Sequence, residues 1–207
     1  MVRTVKKPEE RRLEIILAAR ELFETKDYET TTMQNVMDQL GIAKGTIYHY
    51  FKSKEELLEA VIEYTVAEYI TAMQAIMDQT EGDALDKLRV LILAGQISTE
   101  HGEILEHLHQ PGNVGMHTRQ LAVTLTGLAP VYASVIQQGC EEGTFQTEHP
   151  LECAEFLLTG IQFLTDLGIH PWKPEDLLRR IVAFPALIEA QLQAPKGSFN
   201  FLIEQMQ

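Results

Sequence analysis

An all-α fold is predicted by three observations along the 207-residue chain. Apolar residues recur at helical spacing through most of its length, strand-like alternation is nearly absent, and clusters of Gly, Pro and Asn interrupt the helical pattern at intervals. The 45% hydrophobic content is ordinary for a globular protein and argues against disorder. No apolar run approaches the ~20 residues that span a bilayer. The basic start, Met1 to Glu10, has no apolar stretch behind it, so neither a membrane partner nor an export signal is expected and the expected compartment is the cytoplasm. Cys140 and Cys153 lie in separate expected helices without metal-ligand spacing and are read as free thiols.

The elements follow in order. A first helix is expected from about Glu9 to Lys26, with Ile15, Ile16, Ala19, Leu22 and Phe23 on one stripe and Asp27-Tyr28 ending it. Thr31 with Gln34 reads as a capping box for a short helix that Gly41 stops. A second short helix spans Ala43 to Phe51, and Ser53 with Glu56 caps a long helix running to about Gln79. Further helices are expected near 84–109, 114–125, 128–142, 150–167 and 175–193, with breaks at Gln110-Pro-Gly-Asn113, Gly127, Gly143-Thr144 and Gly168 to Pro171. Pro185 inside the last of these should kink or break it. The segment after Pro195 carries Phe199, Phe201 and Leu202, too apolar for a free tail.

The net charge of −13 looks hostile to nucleic acid until it is divided. Residues 1–58 hold ten Lys or Arg and ten Asp or Glu, so the whole excess of acid lies in the remainder, with seven basic and twenty acidic residues. A neutral N-terminal quarter on an acidic body allows one end to approach phosphates while the rest is repelled. The acidic body is equally explained as a solvated surface.

Two short helices separated by Gly41-Ile42 have the dimensions of a helix-turn-helix, whose second helix enters the major groove of double-stranded DNA. That second helix offers Lys44 and Thr46 near its N-terminus, then Tyr48, His49 and Tyr50, all donors suited to phosphates and base edges. Gly45 removes a side chain where backbone must come close to DNA. Ile47 and Phe51 point the other way, into a core with Ile16, Leu22, Phe23, Val36 and Leu40. Bland readings stand beside these: either tyrosine serves equally as a packing aromatic, and Lys54 as a solvated cation in the first turn of the long helix. Arg3, Lys6, Lys7, Arg11 and Arg12 form either a basic arm or a disordered start.

The run Thr32-Met-Gln-Asn-Val36, then Gly41-Ile-Ala-Lys-Gly-Thr-Ile-Tyr-His-Tyr-Phe51-Lys-Ser-Lys54-Glu-Glu-Leu57, resembles the TetR family of bacterial transcriptional regulators, and the likeness extends back through Ile15, Ala18, Ala19, Leu22, Phe23 and Tyr28. The resemblance implies a nine- to ten-helix Ω-shaped homodimer with a three-helix DNA-binding domain at 1–57 and an effector-binding and dimerisation domain at 58–207. It implies that Thr32 and Lys54 hold phosphates and that Lys44, Gly45, Thr46, Tyr48, His49 and Tyr50 form the recognition helix. It further implies a repressor bound to a pseudo-palindromic operator and released by a small-molecule effector, the alternative being an activator or a ligand-independent regulator. The chain departs from the pattern at Asp27, where Gly is usual, at Met37 and Leu40, where Ala is usual, and at Ala43, where a capping Ser is usual. A lost cap costs about 1 kcal/mol of local helix stability.

Beyond residue 58 the sequence says less. Gly95, Ser98, Thr99 and Gly102 interrupt an apolar stripe, which reads as close helix approach or as a cavity wall. With Tyr69, Tyr132 and Phe163 they make the expected effector pocket. Phe156, Ile161, Leu164, Ile181, Phe184 and Ile188 are the expected dimer interface, by analogy with the family's four-helix junction. His101, Glu103, His107, His109 and His117 crowd together, with Glu103 and His107 an i, i+4 pair. A metal site is the lesser reading because the spacing matches no zinc pattern, so they are read as surface or pocket-rim residues and no metal or cofactor is assigned. Paired carboxylates, a phosphate-cradling Gly loop and a nucleophile elbow are all missing from the sequence, so no enzyme is expected.

Overall fold

The computed structural model describes residues 7–26, 28–97, 109 and 114–204, and among them every regular element is a helix. They are α1 (Pro8–Lys26), α2 (Met33–Leu40), α3 (Lys44–Tyr50), α4 (Lys54–Gln79), α5 (Ala84–Ile97), α6 (Val114–Glu141), α7 (Pro150–Thr165), α8 (Pro174–Leu192) and the single turn α9 (Phe201–Glu204). None is long and apolar enough to cross a membrane. The expected extension of the helix near 84–109 past residue 97, the break at 110–113, and Asp27 lie outside the described residues.

Two hydrophobic clusters divide the molecule, and α4 belongs to both. The first gathers Ile15, Ile16, Ala19, Leu22 and Phe23 of α1, Val36 of α2, Ile47 of α3, Phe51, and Leu57 to Val66 of α4. The second begins at Met73 and Met77 and takes in Leu88 and Leu91 of α5, Val131, Val135 and Ile136 of α6, Cys153 of α7, and Phe184, Ile188 and Leu192 of α8. Ile70 packs against both clusters. At ~1.5 Å per residue, α4 is a strut of about 39 Å joining them.

Three expectations are corrected. Gly127 does not separate two helices, because α6 runs unbroken through it. The glycine instead admits α4: a Cβ there would meet the Ile70 Cδ1 at 2.0 Å. Pro185 does not end α8 either, and is buried beside Phe184 within a continuous helix, as Pro130 lies within α6. Packing on one face compensates the missing N–H in each helix. The capping box of α2 is shifted by one residue: Thr32 Oγ1 accepts from the Asn35 N–H at 3.2 Å, and Asn35 Oδ1 accepts from the Thr32 N–H at 2.9 Å. Thr31 is unavailable as a cap, being fully buried with its hydroxyl donating to the Leu22 carbonyl at 3.3 Å.

The apolar tail is not free but folds back onto the body. Phe199 is fully buried against Phe145 and Phe201, with ring centroids 6.4 and 6.0 Å away. Glu189 Oε1 accepts the N–H groups of Gly197 and Phe199 at 2.8 and 3.2 Å, which fixes the reversal.

Candidate nucleic-acid interface

The turn between α2 and α3 is built by the backbone. Gly41 adopts φ 61°, ψ 36°, a left-handed conformation that lets its N–H and that of Ile42 close onto the last carbonyls of α2. The N-cap of α3 is Ala43, extended and without a side-chain acceptor for the first turn. What holds this seven-residue helix is its inner face, with Ile47 at 0% and Phe51 at 1% exposure. The outer face carries Lys44, Gly45, Tyr48 and His49, all exposed, with Thr46 half-buried at its edge. Lys44 Nζ stands 5.7 Å from the Tyr48 ring centroid, so cation and aromatic project as a pair. A Cβ on Gly45 would meet nothing within 4 Å, so no neighbour inside the protein requires a glycine there.

Three expected contacts are placed differently. Tyr50 packs, half-buried, against the first cluster, leaving His49 edge-on to its ring at 5.1 Å. Lys54 turns inward: Nζ donates to the Tyr28 carbonyl at 2.9 Å and the Glu29 carbonyl at 3.4 Å, and lies 4.0 Å from the Tyr28 ring centroid. The lysine therefore ties the loop before α2 to the start of α4. Arg11 and Arg12 belong to α1 rather than to an arm, Arg11 paired with Glu14 at 2.6 Å and Arg12 lying over the Phe51 ring. Thr32 stays exposed, its hydroxyl engaged in the α2 cap. Arg3 and Lys6 lie outside the described residues.

Salt links hold α4 between its neighbours. Arg20 of α1 reaches Glu24 at 3.0 Å and Glu68 of α4 at 2.5 Å. From α6, Arg119 pairs with both Glu59 and Glu63 of α4.

Of the expected effector residues, Tyr69, Gly95 and Tyr132 come together across α4, α5 and α6. A Cβ on Gly95 would stand 3.1 Å from the Tyr69 hydroxyl, and burial raises the pKa of both phenols, Tyr69 adding to the effect on Tyr132. Phe163 does not join them. It is 46% exposed on α7 and meets the His170 ring edge-on at 4.9 Å. Ser98, Thr99 and Gly102 lie outside the described residues.

The expected dimer residues are likewise divided. Phe156 is 70% exposed and Leu164 37%, with Ile161 and Ile181 half-buried, but Phe184 and Ile188 lie in the core of the chain itself. The helical phase of α8 turns those two toward the second cluster and presents Leu178, Val182 and Leu187 outward. His117, read as a rim residue, is 3% exposed.

Two family profiles match in succession: bacterial regulatory proteins of the tetR family over residues 15–61, and a tetracyclin repressor-like C-terminal domain over residues 96–187. The fatty acid metabolism regulator protein of Bacillus subtilis is 30% identical over 174 residues, 83% of this chain and 88% of that one. The chain belongs to the TetR family.

Among other relatives of this TetR-family protein, the HTH-type transcriptional repressor KstR2 of Mycolicibacterium smegmatis is 34% identical over 98 residues, which is 47% of each chain. The match thus spans about half the length of that relative. A TetR-family regulator from Pectobacterium atrosepticum superposes over 92% of this chain and all of its own with a TM-score of 0.69 at 22% identity, a likeness of fold. This TetR-family chain is a helix-turn-helix DNA-binding transcriptional regulator, a role that involves no catalysis. Sequence reasoning missed Asn35, the true partner in the α2 cap, and the Arg20 and Arg119 links. Thr31/Gln34 and Thr32/Asn35 both have three-residue cap spacing, and only the burial of Thr31 decides between them.

Proposed function

We propose that this regulator is a cytoplasmic homodimeric repressor that binds a pseudo-palindromic operator and is released by a small-molecule effector. The observation that carries the reading is the outer face of α3, where Lys44, Gly45, Tyr48 and His49 project from a helix whose other face is fully packed. With Thr46 and Thr32 these residues contact DNA, while Tyr50 and Lys54 position the helix. Residues 1–57 make the DNA-contact unit and 58–207 the body that pairs and senses. Pairing is supported by the exposed apolar side chains of α7, α8 and the turn between them: Phe156, Phe163, Leu164, Leu167, Leu178, Val182 and Leu187.

Tyr69, Gly95 and Tyr132 line the effector region. The B. subtilis relative directs the first assay to molecules of fatty acid metabolism. An effector acts only through unequal affinity for the two states. A tilt of α4, held by Arg20 and Arg119, moves the paired α3 helices off the ~34 Å spacing of successive major grooves.

Selection of bound sequences from random duplex DNA tests the reading. An inverted repeat with half-sites one helical turn apart is expected, together with a dimeric mass at micromolar concentration. Enrichment of no sequence, or a monomer, overturns the dimeric operator reading. A reporter driven from the selected site distinguishes repression, the expected result, from activation.

A further inference from the structure

We propose that His109, His117 and Asp166 form a binding site for a divalent first-row transition-metal ion of the zinc type. The three residues come from the segment before α6, its first turn, and the residue that ends α7. Their nearest ligand atoms all lie within 4.8 Å of one another. His117 Nε2 is 2.9 Å from Asp166 Oδ2, and His109 Nε2 is 3.7 Å from Asp166 Oδ1. The side chains of His117 and Asp166 are 4% and 9% exposed, and that of His109 is 28%.

Neither Nε2 makes a hydrogen bond among the described residues, although both atoms are buried. Buried polar nitrogens are normally hydrogen-bonded, and here both converge without hydrogen-bond geometry on one shared carboxylate, a grouping that an ion between the three side chains completes. An ion held at ~2.0–2.2 Å by a tetrahedral ligand set has its donor atoms roughly 3.4 Å apart, a value within the spread seen here. Two imidazoles and one carboxylate suit zinc, cobalt or nickel far better than magnesium, which takes oxygen ligands. Three protein ligands leave a further position open to water or to an effector atom.

The surroundings hold these ligands in place. Asp166 Oδ1 accepts the Gly168 and Ile169 N–H groups at 2.9 and 3.0 Å, which fixes the carboxylate and leaves Oδ2 facing His117. At Gly168 a Cβ would fall 2.2 Å from His109 Cδ2, so the absence of a side chain there is what admits the imidazole. The loop is tied further by Trp172 Nε1 donating to the Leu164 carbonyl at 3.1 Å and by His170 stacked on Trp172. The site adjoins the turn of α6 that carries Arg119, and so the pairing with Glu59 and Glu63 on α4.

The test is titration of the chelator-stripped full chain with Zn²⁺, Co²⁺ and Mg²⁺, followed by calorimetry and by the Co²⁺ d–d bands between ~500 and 650 nm. One equivalent of Zn²⁺ per chain, Co²⁺ bands and no Mg²⁺ binding are expected. His109→Ala and Asp166→Asn should each weaken Zn²⁺ binding at least tenfold. Gly168→Ala, which removes no ligand, should weaken it by displacing His109. His117→Ala is the variant most prone to misfolding, so the partly exposed His109 carries the decision, with circular dichroism confirming its fold. Absence of stoichiometric binding in the native chain overturns the site. So does Zn²⁺ affinity unchanged by both His109→Ala and Asp166→Asn, which would place the ion elsewhere.

Discussion

The helix-turn-helix and the body behind it solve the same problem, keeping helices folded, by different means. α2 and α3 have eight and seven residues, too short to be stable alone. The ends of α2 are specified locally by the Thr32–Asn35 box and a left-handed Gly41, while α3 lacks a side-chain N-cap and rests on its buried Ile47–Phe51 face. α6 and α8 have 28 and 19 residues, and each carries a proline in its interior without breaking. Length and packing let the body tolerate local choices that would destroy the short helices. The lesson is that end chemistry matters most for α2, whereas α3 and the long helices of the body rest on buried surface.

Five measurements sharpen or break this contrast. The largest effect is expected in the body, where Phe199→Ala should cost about 3–5 kcal/mol in urea unfolding, because the folded-back tail is core. A loss below about 1 kcal/mol would show the tail to be dispensable. Next is a pH effect in the N-terminal unit. Burial, with Glu55 and Glu29 nearby, pushes the Tyr28 phenol from 10 up to about 12. The folded chain then keeps a proton that the unfolded chain releases, so this stability is complete below pH 10 and is lost as pH rises to about 12. At ~1.4 kcal/mol per pH unit the loss is about 2–3 kcal/mol, and Tyr28→Phe should remove that part of the alkaline decline.

Lys44 and Lys54 separate contact from positioning. Lys44→Ala should weaken operator binding about tenfold, or ~1.4 kcal/mol, with the melting temperature unchanged. Lys54→Ala should lower the melting temperature by removing two carbonyl contacts, an effect of about 1–2 kcal/mol. A reversal of these two results would reassign both lysines. The smallest change is a gain: Ala43→Ser supplies the missing acceptor at the start of α3 and should add up to about 1 kcal/mol, read as a small rise in the melting temperature.

Much of the first unit was legible in the sequence. The α1 stripe, the Gly41 stop and the inward Ile47 and Phe51 stand where periodicity and spacing put them, and Ala43 is uncapped as its departure from the family pattern implies. What misled there were choices between neighbours, Thr31 against Thr32 for the cap and Lys54 inward against outward, because each depends on a contact with a distant segment. In the body, Gly127 and Pro185 looked like breaks because glycine and proline are local punctuation. Ile70 fills the space at Gly127, and the second cluster buries Pro185 and its neighbour Phe184. Phe184 and Ile188 lie in the core rather than at the expected dimer interface, because the broad apolar face of α8 does not show in sequence which part meets its own core.

By itself the sequence determined the all-helical class, the short-helix pair around Gly41 and the resemblance to the TetR family. The first two rest on helical period and on contacts within three or four positions, and the third on a continuous run of residue types. The tertiary structure alone decided which lysine is bound to backbone, where α4 and α6 touch, and that Asp166 stands beside His109 and His117. Those facts join residues 26 to 57 positions apart, and no local preference encodes which distant partner a side chain will meet.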